Sequence, residues 1–101
     1  MIGQPTICQS IQSQWTALEN ERVILGRMRR DAQNSVDAAE LTLEAARQIG
    51  DMNQVQAAGL ILMAAQQQLA QVNAQIQANT LAEYNLAAKA NQFGCPLVIA
   101  P

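Results

Sequence analysis

The 101-residue chain has no histidine, one Phe, one Tyr, one Trp, three prolines, five glycines and two cysteines. Each shortage excludes something. Without histidine, the commonest general base and metal ligand is missing. Three aromatic residues cannot fill an aromatic-rich core, and proline and glycine are too sparse for a disordered linker or a collagen-like chain. No run approaches the ~18 apolar residues of a membrane span, so no transmembrane segment is expected. Charged residues make up only 14% and leave a net charge of −2. Arg22, Arg27, Arg29 and Arg30 are interleaved with Glu19, Glu21 and Asp31, and no aromatic lies close enough to stack a base, so nucleic acid is not an expected partner. The first residues also lack the basic patch and apolar run of a signal peptide. Either the chain is a processed form or it reaches its place without that signal. Cys8 does not follow a lipobox-like run, so lipidation is not expected.

What is abundant is alanine (18) and glutamine plus asparagine (22 together), two-fifths of the chain. Alanine and glutamine favour helices, and the strand formers Val, Ile and Thr are few, so the fold class is all-α. The length fits one domain, residues 1–101. Thr6-Ile7-Cys8-Gln9 has the T-x-x-Q form of a capping box, with Pro5 at the entrance. No further proline appears before Pro96. Gly50 suits a left-handed helix stop, and Asp51, with Gln54 three residues on, suits the cap of a second helix. Asn91-Gln92-Phe93-Gly94-Cys95-Pro96 ends that helix in the same way. Two helices are therefore predicted, over about 7–49 and 52–93, with a turn at 50–51 and an apolar tail at 96–101.

Each helix carries a heptad seam. Steps of four and three from Ile11 to Ala46 meet nine apolar residues in eleven positions, and those from Val55 to Phe93 meet ten in twelve. Such seams indicate coiled-coil packing. Folded at Gly50-Asp51, the helices run antiparallel, and residues whose numbers sum to about 101 lie opposite each other. Arg22 then faces Asn79 and Glu83, a polar layer that would set register; the alternative is an Arg22 that snorkels without a fixed partner. Cys8 falls opposite position 93, close to Cys95. A disulfide there would close the open end and contribute about 4–4.5 kcal/mol, and it would imply an oxidising compartment. The alternative is two unrelated thiols in a reducing cytosol.

Leu60, Ile61 and Met63 lie off the second seam, and Val23, Ile24 and Leu41 lie off the first. Residues 52–82 contain no charged side chain. A neutral, amide-rich helix suggests packing against other subunits, where no charge need be desolvated, so these six residues are the candidate partner interface. A merely Gln-coated, solvated helix is the other reading. Asp37, Glu40 and Glu44 share a helix face, but carboxylate di-metal bundles use an E-x-x-H pair and histidine is absent; a solvated face is expected. The two cysteines form no C-x-x-C motif, and no phosphate loop or nucleophile elbow occurs. No catalytic residue, cofactor or metal site is expected, and the chain does not read as an enzyme.

The run from Gly50 to Leu62, followed by Gln66-Gln67-Gln68-Leu69-Ala70-Gln71-Val72, resembles the long central helix of the minor pilus subunits of type IV secretion and conjugation systems. Gln54, Gln56, Ala57, Gln67, Gln68, Leu69, Ala70 and Gln71 match the family's pattern, and Gly59 stands where a polar residue is usual. The likeness covers residues 50–80. It implies an exported helical protein of the pilus or the periplasmic part of the machine, acting through protein contacts without catalysis. Joined to the stapled hairpin, it predicts a structural or assembly subunit completed by oligomerisation or a partner, located in the periplasm, at the cell surface or on a particle. Competing readings are a small structural protein of a phage or virus particle and a cytosolic helical adaptor or chaperone. A secreted hairpin of the signal-less kind is also conceivable, but its W-x-G turn is absent, since Trp15 lies far from Gly50.

Overall fold

The computed structural model describes residues 4–99. Among them are two helices and no strand: α1, Gln4–Ile49, and α2, Met52–Gln92, packed as an all-α antiparallel hairpin. Gly50 (φ 82°) takes the left-handed conformation and donates its N–H to the Ala46 carbonyl at 3.0 Å, ending α1. Asp51 starts α2 as its cap: its carboxylate accepts the Asn53 N–H at 3.0 Å, and its carbonyl accepts the N–H of Val55. At the far end Gly94 (φ 67°) closes a Schellman motif, with Cys95 N–H on the Ala90 carbonyl at 2.8 Å and Gly94 N–H on that of Asn91 at 3.2 Å. That motif turns the chain so that Cys95 is delivered to the helix pair.

The first boundary differs from the sequence expectation. α1 begins at Gln4, not at residue 7, so Thr6 lies inside the helix and is not its cap. Pro5 falls in the first turn, where a missing N–H removes no intrahelical bond and the fixed φ suits the helix, so nothing stops the helix from starting ahead of Thr6. α2 ends one residue before the predicted limit, at Gln92, with Phe93 as the last half-helical residue.

The chain divides into two compact units, and both helices run through both. The disulfide-end unit comprises Met1–Leu25 and Ile76–Pro101; the turn-end unit comprises Gly26–Gln75. In the disulfide-end unit Ile11, Trp15, Leu86, Ala90 and Cys95 form a buried cluster, joined by half-buried Ile7, Cys8, Leu18, Phe93 and Leu97. In the turn-end unit the buried residues are mostly alanine: Ala32, Val36, Ala39 and Ala46 on α1, with Ala58, Ala65 and Val72 on α2. Every apolar seam position on either helix is buried or half-buried.

Of the apolar tail, Leu97 packs on the core while Val98 and Ile99 are exposed; Ala100 and Pro101 lie outside the described residues. Gln12 also holds the tail. Gln12 donates its amide N–H to the Val98 carbonyl at 3.1 Å and accepts the Val98 N–H at 2.9 Å.

Candidate functional site

Cys8 and Cys95 form a disulfide across 87 positions, with Cα atoms 5.4 Å apart, well within the range a disulfide spans. One helix brings Cys8 and the Schellman turn brings Cys95.

Further along the same unit, the predicted polar layer is assembled. Arg22 Nη1 donates to Glu83 Oε2 at 3.1 Å, and Asn79 Nδ2 donates to the Leu18 carbonyl at 3.1 Å. Asn79 (3% exposed) and Glu83 (7%) are buried, whereas the Arg22 guanidinium stays half in water. Burying a carboxylate is unfavourable unless a charge partner and hydrogen bonds compensate, and here Arg22 reaches in from the edge to supply them. The layer has a member that sequence reasoning missed. Glu19 (6% exposed) is buried with its carboxylate 3.9 Å from Arg22. Its signal was its spacing: four residues after Trp15 and three before Arg22, it lies on the flank that both of them share. Among the described residues neither Asn79 Oδ1 nor the nearby core atom Trp15 Nε1 finds a hydrogen-bond partner, so the layer is imperfectly satisfied.

The six candidate partner residues are all exposed and are divided between the two units. Val23 and Ile24 belong to the disulfide-end unit, together with exposed Leu81 and Tyr84 that the sequence reading did not single out. In the turn-end unit, Ile61 shares a groove of about 300 Å³ with Ile49, Ala57 and Thr42. Leu60 (67% exposed) and Met63 line a different groove, of about 530 Å³, with Gln56, Gly59 and Leu43. Leu41 is 73% exposed and lines neither groove.

Asp37, Glu40 and Glu44 are exposed, and Gln33 donates its amide N–H to Asp37 at 3.0 Å. Among the described residues no group of three or more Cys, Asp or Glu side chains is placed to hold a metal ion. A third groove of about 540 Å³ is lined by Gly26, Arg29, Arg30, Gln33 and Asn34 of α1 with Leu69 and Asn73 of α2. Among the described residues no helix is long and apolar enough to cross a membrane. The exposed helix faces carry apolar side chains, amides and a few charges. No protein-family model, curated protein or solved structure matches this chain.

Proposed function

We propose that the protein is a non-enzymatic structural or assembly subunit of an extracytoplasmic apparatus of the secretion or conjugation type, acting through helix–helix contacts with other protein subunits. The observation that carries this reading is the turn-end unit's unpaired apolar surface, with Leu41, Leu60, Ile61 and Met63 all more than half exposed on helices whose seam is already filled. Large apolar side chains outside a completed seam are what subunit interfaces bury. The Cys8–Cys95 disulfide supports an oxidising location, because such bonds persist outside the cytosol. The resemblance of residues 50–80 to minor pilus subunits supports the apparatus.

The test is made on protein from its native source, fractionated and alkylated without reduction, then weighed intact. The expected result is a chain in a high-mass extracytoplasmic complex, with both cysteines unreacted and a mass two protons light. Two alkylated cysteines on a free cytosolic chain would overturn the proposal.

A further inference from the structure

Several charges of the turn-end unit fall along one line of α1. On α1, Gly26, Arg29, Gln33, Asp37, Glu40 and Glu44 follow one another at intervals of three and four, so they form a single stripe. The stripe is basic at Arg29, where Arg30 adjoins it, acidic from Asp37 to Glu44, and basic again at Arg47, three residues beyond Glu44. Arg29, Arg30, Glu40 and Glu44 make no ion pair among the described residues. On α2, Met52, Gln56, Gly59, Met63, Gln66, Ala70 and Asn73 form a matching stripe with no charge at all. The two stripes look out on the same side, because Gly26, Arg29 and Gln33 line one groove with Asn73.

We infer that this face binds a second copy of the chain, with α1 antiparallel to α1 and α2 antiparallel to α2 about a two-fold axis near Asp37, giving a four-helix bundle. A two-fold interface puts residue i of one copy against j of the other and j against i. The basic stretch at Arg29 and Arg30 meets the acidic stretch at Glu40 and Glu44 of a second copy only when the two stripes are laid antiparallel. Arg29 and Arg30 of each copy then meet Glu40 and Glu44 of the other, twice over. The α2 stripe meets its own neutral counterpart, Gly59 near Ala70 and Met63 near Gln66, with no charge to desolvate.

A further observation agrees. The two glycines in the interior of the helices, Gly26 and Gly59, both lie on this face, and a Cβ added to either would meet nothing in the chain within 4 Å. Packing within the chain does not require them, whereas a closely approaching second helix does.

The test is sedimentation of the full oxidised chain across a wide concentration range, with helix content followed by circular dichroism. A dimer is expected. R29E/R30E and E40R/E44R should each weaken dimerisation at least tenfold while helix content is kept, and an equimolar mixture of the two should restore it. D31R alters the charge about 200° around α1 from Arg29 and should leave the dimer unchanged. G59A should weaken the dimer several-fold while raising the melting temperature of the dilute chain. A wild-type chain that stays monomeric, a dimer indifferent to the reversals, a mixture that fails to re-form it, or a dimer tightened by G59A overturns the inference. The self-pairing deepens the assembly reading above, yet the two fail separately: a monomer here leaves the native-source fractionation to decide for other partners, and a reduced cytosolic chain there leaves the dimer standing.

Discussion

Arg22 and Glu83 lie 61 positions apart in the chain and meet at 3.1 Å within the disulfide-end unit, the arginine half in water and the glutamate buried. The asymmetry sets what each substitution does. Removing Arg22 takes the cation from the buried Glu83 carboxylate, whereas Glu83→Gln leaves a neutral amide that still hydrogen-bonds. Arg22→Ala is expected to destabilise by about 1–2 kcal/mol, less than a fully buried pair would lose because water screens the guanidinium. Glu83→Gln should lose less than half of that. Urea unfolding followed by the fluorescence of Trp15, the one tryptophan, measures both. Equal losses, or none, would mean that Arg22 snorkels without a structural partner.

The disulfide closes nearly the whole chain into one loop. Replacing Cys95 by Ser should remove about 4–4.5 kcal/mol through the freedom returned to the unfolded chain, a drop of well over ten degrees in melting temperature for a domain this size. The loss should appear only without reductant, since reduced wild type already lacks the bond. An equal difference between variant and wild type in reductant would show that Cys95 acts through packing.

The seams were legible because their period is set by helix geometry: every apolar residue from Ile11 to Ala46 and from Val55 to Phe93 at those steps is buried or half-buried. The Gly50-Asp51 turn and the Gly94 stop were legible for a different reason, namely that few residues satisfy those backbone conformations. What stayed hidden lacks both kinds of signal. Glu19 is charged and off the seam, so the apolar period that marked its neighbours passed over it, and only its spacing from Trp15 and Arg22 pointed to it. Pro5 reads equally well as an entrance to a helix starting at Thr6 or as a residue inside one starting earlier. Leu60, Ile61 and Met63 are close in sequence, but successive helical residues turn by 100°, so Ile61 joins one groove and Met63 another.

The contact between Gln12 and Val98 is a two-bond clamp with no periodic signature, and it predicts local rather than global behaviour. Gln12→Ala should cost about 1 kcal/mol and strip the Val98 amide of its exchange protection while leaving the helix amides near their original rates. Hydrogen exchange by NMR resolves this. A Val98 amide that stays protected would mean that Leu97 packing alone holds the tail.

Leu60→Glu tests whether the exposed apolar surface belongs to assembly. Leu60 lies outside both seams, so the chain's own stability should change by less than about 0.5 kcal/mol. A carboxylate placed in an apolar contact should disrupt association, read by sedimentation, with helix content unchanged by circular dichroism. A loss of helix content would put Leu60 in the folding core instead.

Asn79 offers the sharpest separation of stability from specificity. It occupies a seam position, donates one bond to the Leu18 carbonyl and leaves its own Oδ1 unpaired in a buried setting. Replacing it by leucine removes one modest bond and one unsatisfied acceptor and fills the position with apolar volume, so Asn79→Leu should stabilise the chain by about 1–2 kcal/mol. If the polar layer sets register, that gain has a consequence: a uniformly apolar seam pairs with itself in more than one alignment. The variant should then melt higher yet sediment as a mixture of species, with broadened amide resonances near residues 76–86. A variant that is more stable and equally homogeneous would leave Arg22 and Glu83, or the disulfide, as what holds the two helices in step.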